Sequence, residues 1–223
     1  MEKLKKITAI LLAVIMLFSI PVLAFADDAA DEEIAEEAPV VSSGNVGTLY
    51  IIYSPANKRE PHMWIYLVNN SDSPLEFGHY TVPAGGCVSV GNFHDRGSGA
   101  GIHYNLERYW VKPATYERSY YLKTSVTTSE LRRCGSAMKL MNHWDYVFCN
   151  CSMFATTIWN ICSPRKIIHL GFPHISFVEM LLWGAKKLDF TISKVGSTGS
   201  VYKYTREGIE PIKYAVVLTN YGV

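Results

Sequence analysis

The period of the hydrophobic pattern changes near residue 127, and this change constrains the fold more than any other feature of the sequence. Before it, turn residues separate short apolar segments rich in aromatic and β-branched residues, such as "GTLYIIYS" (47–54) and "HMWIYLVN" (62–69). After it, apolar residues recur every three or four positions, which is typical of amphipathic helices. Strands followed by helices, with few alternations, predict an α+β domain with a mainly antiparallel sheet.

The expected elements can be placed along the chain. The candidate strands are 47–54, 62–69, 75–82, 87–93, 102–110, 119–128 and 214–220, the last preceded by a Gly/Ser turn and "VYKYT" (201–205). Three helices are expected within 127–144, 150–162 and 174–188. The first has a start signal before Glu130 and an apolar stripe formed by Leu131, Cys134, Met138 and Met141. The third has one apolar face, which we expect in the core, formed by Ile175, Val178, Leu182 and Ala185.

The first 26 residues have the pattern of an export signal. A basic head with three lysines precedes an apolar run over 7–23, and "AFA" (24–26) supplies the small residues of a cleavage site. An uncleaved membrane anchor is the alternative, because the apolar run is nearly long enough to span a bilayer. Pro21 and the small residues favour cleavage after Ala26, so we expect a secreted or cell-envelope protein.

Residues 27–45 form an acidic segment with seven acids, no base and no aromatic residue, which predicts a disordered tether. The remaining residues, 46–223, fit a single domain with 18 basic and 12 acidic residues, a net charge of +6. This charge suits weak association with an anionic envelope surface, although an ordinary solvated surface explains it equally well. It is too low and too dispersed to indicate nucleic acid, and we expect a monomer.

The stretch "VFCNCSMFATTIWN" (147–160) places a cysteine at the start of a predicted helix. Asn150 is a favourable N-cap, so Cys151 falls in the first turn, where the helix dipole stabilises a thiolate. Cys149 precedes the cap and gains little from the dipole. The alternative is that both are small buried hydrophobic residues. The other cysteines are Cys87, Cys134 and Cys162; the odd total leaves at least one unpaired in a monomer, and whether any disulfide forms stays open.

A thiolate nucleophile requires a base, and His62 opens a strand, where a side chain is both held and reachable. "HMWIYLVN" followed much later by "NCSMF" resembles the circularly permuted papain-like hydrolases, which include NlpC-type cell-wall peptidases and lecithin:retinol acyltransferase-like proteins. A broader likeness over 49–223 is to uncharacterised exported proteins of Gram-positive bacteria. The resemblance implies a circularly permuted papain-like fold, with Cys151 as nucleophile and His62 as base.

The acyltransferase-like proteins carry a second histidine on the next strand, which here corresponds to His79. If the turn "NNSDSP" pairs Asn69 with Pro74, His62 faces Thr81, and His79 lies diagonally from it on the same face. A slip of one residue would move His79 to the other face. Further candidates for this third catalytic group are Glu76, His103 and Asn105. Pro61 and Met63 depart from the family pattern, in which smaller residues flank the histidine.

The resemblance implies an exported cysteine amidase or peptidase that acts through a thioester, with cell-wall peptide as an expected substrate. It requires no metal or organic cofactor. A lipid acyltransferase or thioesterase is a second interpretation, for which "SFVEMLLWG" (176–184) is the candidate lipid-contacting segment, although its periodicity fits a core helix better. A non-catalytic envelope-binding or toxin-like module on the same fold is a third.

Limited proteolysis of the mature protein should cleave within residues 27–45 before it cleaves within 46–223. The acidic segment lacks the apolar residues needed to join a core, so a protease can reach its backbone without unfolding the domain. Mass spectrometry of the first fragments gives the cleavage positions. Protection of this segment in the native protein would place the domain boundary further upstream.

Overall fold

The computed structural model describes residues 44–55, 61–94, 99–107, 119–168, 170–188 and 201–212. The chain divides into two units, 1–40 and 41–223, and the second contains every described residue. The predicted export signal and the predicted strand 214–220 lie outside the described residues, as does all but the end of the acidic segment.

An antiparallel sheet forms the body of the described structure. Its strands and those of a small hairpin are β1 (Gly47–Ser54), β2 (His62–Asn69), β3 (Leu75–Phe77), β4 (Tyr80–Val82), β5 (Cys87–Phe93), β6 (Gly101–Tyr104), β7 (Tyr120–Val126), β8 (Lys186–Lys187), β9 (Val201–Tyr204) and β10 (Ile209–Ile212). Eight strands form one sheet in the order β10-β9-β6-β5-β2-β1-β7-β8, while β3 and β4 pair only with each other. All the described pairings are antiparallel, which confirms the α+β class.

In the part of the chain that the structure describes, three helices accompany the sheet: α1 (Thr128–Leu140), α2 (Cys151–Cys162) and α3 (Pro173–Leu182). The predicted start of α1 is confirmed, because Thr127 and Glu130 form a reciprocal capping box that satisfies two helix-start N–H groups. Its predicted stripe is also confirmed: Leu131, Cys134 and Met138 are fully buried, and Met141 is the C-cap residue. None of the helices within the described ranges is long and apolar enough to cross a membrane.

Helix α2 packs across β1, β2 and β5 and supplies the centre of the core. Its residues Phe154, Ala155 and Ile158 are fully buried, as their helical spacing predicts. The opposite face of β2 is also covered, because Trp64 and Tyr66 lie in a second buried cluster with Ile52 and Leu188. Strand β2 is therefore central and buried on both faces, which explains why "HMWIYLVN" is continuously apolar rather than alternating.

The prediction of a single strand over 75–82 is wrong. These residues form the β3–β4 hairpin, and neither strand of the hairpin pairs with β2. The turn falls at Gly78 and His79, and Gly78 has a φ of 66°, which favours glycine. Strand β2 has both edges occupied, by β1 on one side and β5 on the other. The expected register is therefore also wrong, and His62 lies opposite Ser54 of β1 rather than opposite Thr81.

Two other predicted elements end earlier than expected. The strand predicted over 102–110 stops at Tyr104, and Asn105 follows with a φ of 65°, which breaks the extended backbone. The third helix ends at Leu182, and Gly184 follows with a φ of 81°. The chain after it forms the short strand β8, which the sequence pattern did not indicate, and β10 was not predicted either.

The apolar face of α3 does not lie in the core. Ile175, Val178 and Leu182 are exposed, with Leu182 82% exposed, and the buried residues of this helix are Ser176 and Met180. The periodicity of the sequence predicted the apolar face of α3 correctly, but the prediction that this face is buried was wrong. An apolar stripe on a helix can also lie on the protein surface, so periodicity does not determine burial.

Candidate active site

The side chain of Asn150 fixes the beginning of α2. Its Oδ1 accepts hydrogen bonds from the backbone N–H groups of Ser152 and Met153, both at 3.0 Å, which is the N-cap arrangement expected from the sequence. Its Nδ2 donates to the carbonyl oxygens of Tyr146 at 2.9 Å and Gly171 at 2.7 Å. These four bonds hold Cys151 as the first residue of the helix.

Cys151 is a partly exposed residue at this helix start, and its thiol lies against the first residues of β2. Burial raises the pKa of this thiol, but the hydrogen bond and positive charge of His62 and the backbone N–H groups of Met63 and Ser152 outweigh that effect. The net result is a pKa below the ordinary value for cysteine, because each of these groups stabilises the thiolate more than the thiol.

His62 connects the thiol to a carboxylate. Its imidazole is hydrogen-bonded to Cys151, and its Nε2 lies 3.3 Å from Oε1 of Glu107. The ring also packs against Phe93, with 4.6 Å between the centroids. The His62 side chain is 11% exposed, so the imidazole is held on three sides and still reaches solvent.

Glu107 is a fully buried carboxylate that follows β6 by three residues. Its Oε2 accepts a hydrogen bond from the Ser89 hydroxyl at 3.0 Å, while Oε1 faces His62. Gly91 provides the space for it, since a Cβ atom on this residue would overlap Oε1. A buried carboxylate is costly unless it is paired and hydrogen-bonded, and both conditions are met here.

The charges on either side of His62 determine its protonation. Burial lowers the His62 pKa, but the hydrogen bonds and negative charges of Cys151 and Glu107 raise it, and the net value is about 9. The lowered thiol pKa and the raised imidazole pKa both shift the equilibrium towards a thiolate–imidazolium pair. Such a pair is chemically competent for nucleophilic attack on a carbonyl carbon.

The structure brings together two of the three predicted site residues, Cys151 and His62, but places His79 elsewhere. His79 lies in the β3–β4 turn, where its ring packs on Tyr204 at 4.5 Å between centroids and its backbone N–H donates to the Tyr104 hydroxyl. The group that contacts His62 in the expected third position is Glu107.

The three further candidates for the third group also have different surroundings. Glu76 is exposed and accepts a hydrogen bond from Thr81 at 2.7 Å. His103 is buried, with its Nδ1 2.9 Å from the Gly101 carbonyl, and Asn105 donates to the Tyr80 hydroxyl.

Sequence reasoning missed Glu107, although two signals for it were present. It is the one acid in the segment "IHYNLERYW", where five of the nine residues are aromatic or aliphatic, and this predicts either an exposed position or a paired, buried one. Gly91 interrupts the strand "CVSVGNF", and a glycine within a strand often marks the close approach of another group.

Cys149 occupies a different environment from Cys151, outside the helix as expected. It is buried, and its thiol lies 3.3 Å from the carbonyl oxygens of both Met141 and His143. Burial raises its pKa. Burial therefore favours the neutral thiol at Cys149, whereas the pKa of the nearby Cys151 thiol is lowered.

Comparison of the chain with known protein families, with curated proteins and with solved structures finds no match.

Iodoacetamide should alkylate Cys151 at pH 6 much faster than it alkylates Cys134, which is fully buried and has a raised pKa. The rate at Cys151 should fall as the pH drops through its lowered pKa, because protonation removes the thiolate. In His62→Ala the midpoint of this profile should move to higher pH, since the imidazolium no longer opposes the effect of burial. Peptide mass spectrometry measures alkylation at each cysteine.

Glu107→Gln provides a nearly isosteric comparison. It keeps a hydrogen-bonding oxygen beside His62 but removes the negative charge, so the midpoint should move in the same direction by a smaller amount. Labelling of Cys151 no faster than Cys134, or a midpoint unchanged in His62→Ala, would show that the pair does not ionise.

Proposed function

We propose that the protein is an exported cysteine hydrolase, an amidase or peptidase that acts on cell-wall peptide through a thioester intermediate. The observation that carries this proposal is the position of His62 between the Cys151 thiol and the buried carboxylate of Glu107. The chain order, with the histidine strand before the cysteine helix, supports a circularly permuted papain-like arrangement.

The roles of the imidazole nitrogens follow from the contacts of His62. Glu107 lies at Nε2, so Nδ1 is the nitrogen that we assign to the thiol proton. The carboxylate fixes the ring orientation and stabilises the imidazolium, as the acidic member of other catalytic triads does. Because the proton already resides on His62 in the ion pair, the thiolate can attack without a preceding proton transfer.

In the acylation step, the Cys151 sulfur forms a bond to the carbonyl carbon of the substrate amide and yields a tetrahedral oxyanion. The Cys151 backbone N–H is the donor that we assign to this oxyanion, since Asn150 Oδ1 is engaged by the next two N–H groups of the helix. Collapse breaks the carbon–nitrogen bond, and the leaving amine takes the proton from His62. The products are a free amine and a thioester on Cys151.

In the deacylation step, neutral His62 accepts a proton from water as the water oxygen attacks the thioester carbon. The carbon–sulfur bond then breaks, which releases the carboxylic acid and restores the Cys151 thiolate beside the imidazolium. An amine or alcohol acceptor in place of water would convert the same sequence into acyl transfer.

Cys151→Ser should lower the rate of hydrolysis of purified cell-wall stem peptides by more than about 1,000-fold, because a hydroxyl at this position is not ionised by the same environment. Released amines measure the turnover. Trapping of an acyl-enzyme at Cys151, detected by mass spectrometry of acid-quenched protein, tests the thioester separately.

Cys149→Ser is the matched control, because a serine hydroxyl can donate to the Met141 or His143 carbonyl as the thiol does. Its activity should remain within a few-fold of the parent protein. Loss of activity in this variant with retention in Cys151→Ser would move the nucleophile to Cys149. Alkylation of Cys151 without turnover on any peptide or lipid substrate would favour the non-catalytic envelope-binding module.

A lipid acyltransferase or thioesterase is a second candidate function, and the exposed α3 face favours it. Leu181, Leu182 and Trp183 are exposed at the end of this helix, and Phe172 is exposed just before it. The carbonyl of Gly171, which precedes Phe172, accepts a hydrogen bond from Asn150, so this apolar surface begins next to the start of the cysteine helix.

The charge around the α3 face complements an anionic bilayer. Arg165 and Lys166 precede the helix, Lys186 and Lys187 follow it, and all four are exposed. Within 163–187 Glu179 is the one acidic residue, and its carboxylate accepts a hydrogen bond from the Ile168 N–H. Exposed apolar residues flanked by cations are typical of proteins that bind anionic lipid surfaces.

The protein should co-float with phosphatidylcholine vesicles that contain phosphatidylglycerol and bind much less to vesicles of phosphatidylcholine alone. Leu182→Glu should weaken this binding by roughly 10-fold or more, since insertion of one leucine side chain contributes about 1.5–3 kcal/mol. Leu140→Glu is the control, because Leu140 is 79% exposed at the end of α1, outside this surface. Equal binding by the two variants, or no binding at all, would remove the support for the lipid function.

A further inference from the structure

Two buried sulfur atoms meet where α1 packs on the end of α2. Cys134 lies on the buried face of α1 and is fully buried, while Cys162 is the last residue of α2 and is 6% exposed. Their Sγ atoms are 3.4 Å apart. We propose that these two cysteines are a disulfide-forming site, which joins α1 to the C-terminal end of the cysteine helix when the protein meets an oxidant.

The local packing brings the two helices close enough for this bond. The Cys134 sulfur also approaches the Ile158 carbonyl at 3.9 Å, and Arg133 donates to the Ile161 carbonyl at 3.3 Å. A disulfide requires about 2.05 Å between the sulfur atoms, so each needs to move by less than about 1 Å. Rotation about the Cα–Cβ bonds supplies a displacement of this size without separating the helices.

The other three cysteines have different contacts, which favours a disulfide between Cys134 and Cys162. Cys149 is held by the carbonyls of Met141 and His143, and Cys151 is hydrogen-bonded to His62. Cys87 begins β5, opposite Val68. Pairing of Cys134 with Cys162 therefore leaves the Cys151 thiol available. It leaves three thiols in all, those of Cys87, Cys149 and Cys151.

The reaction is a two-step thiol–disulfide exchange with a low-molecular-weight disulfide, RSSR. The Cys162 thiolate, which is the more exposed, attacks one sulfur of RSSR, forms a mixed disulfide and releases the first RS⁻. The Cys134 thiolate then attacks the Cys162 sulfur and releases the second RS⁻. The two cysteines lose two electrons and two protons in total, and these reduce one RSSR to two RSH.

The cross-link would constrain the part of the chain that carries the nucleophile. The two cysteines are 28 positions apart, and the chain between them includes Asn150 and Cys151. A bond that closes a loop of this size restricts the unfolded chain and should raise the melting temperature by roughly 5–10 °C.

The experiment uses the full mature chain, refolded and then equilibrated with excess oxidised glutathione or with a reducing agent. Titration of thiols in denaturant should give five reactive thiols in the reduced protein and three in the oxidised protein. Non-reducing peptide mapping should find one cross-linked species, with Cys134 and Cys162. Melting curves of the same two samples measure the stabilisation without any substitution, so the result does not depend on whether a variant folds.

Cys134→Ser and Cys87→Ser provide the matched variants. The first should abolish the cross-link and the difference in melting temperature, and the second should leave both unchanged. Five reactive thiols after oxidative refolding, or a cross-link that includes Cys149 or Cys151, would overturn the proposal. Alkylation of Cys151 in the oxidised protein should persist; this outcome is independent of substrate turnover and separates the cross-link from the proposed hydrolase activity.

Discussion

The hydrogen bonds of one buried side chain, that of Asn150, determine where the cysteine helix begins. An asparagine amide can accept two hydrogen bonds and donate two, and here all four are made with backbone groups. The accepted pair ends the extended backbone and starts α2, while the donated pair fixes the two chain segments that approach from Tyr146 and Gly171. The position of Cys151, its access to solvent and its distance from β2 all follow from this arrangement.

The site combines three ionisable groups: a thiol whose pKa is lowered, an imidazole whose pKa is raised, and a buried carboxylate. Each alone would be unfavourable in a partly or fully buried position, because desolvation penalises a charge. Together they stabilise one another, since His62 lies between two anions and its pKa rises to about 9 despite burial. The Ser89 hydroxyl and the N–H groups of Met63 and Ser152 balance the extra negative charge.

The sequence predicted correctly those features that depend on residues close together in the chain. The start of α1 and its buried stripe, the N-cap at Asn150 and the α+β class are all confirmed, because capping and periodicity are local properties. The pairing of His62 with a third group was not predictable in this way. It depends on which strand lies beside β2, and the sheet uses β5 where the sequence order suggested the 75–82 segment. The environment of α3 is likewise set by tertiary packing that periodicity does not specify.

The absence of a side chain at Gly91 has a consequence for how sequence variation in this protein should be interpreted. Gly91 makes no chemical contribution, yet the space above its Cα atom is occupied by the carboxylate that faces His62. Its backbone conformation is ordinary for a strand, so conformational freedom does not explain the residue. In a saturation-mutagenesis map of function, position 91 would therefore group with the ionisable residues of the site, although glycine itself has no reactive side chain. A survey restricted to reactive side chains would overlook it.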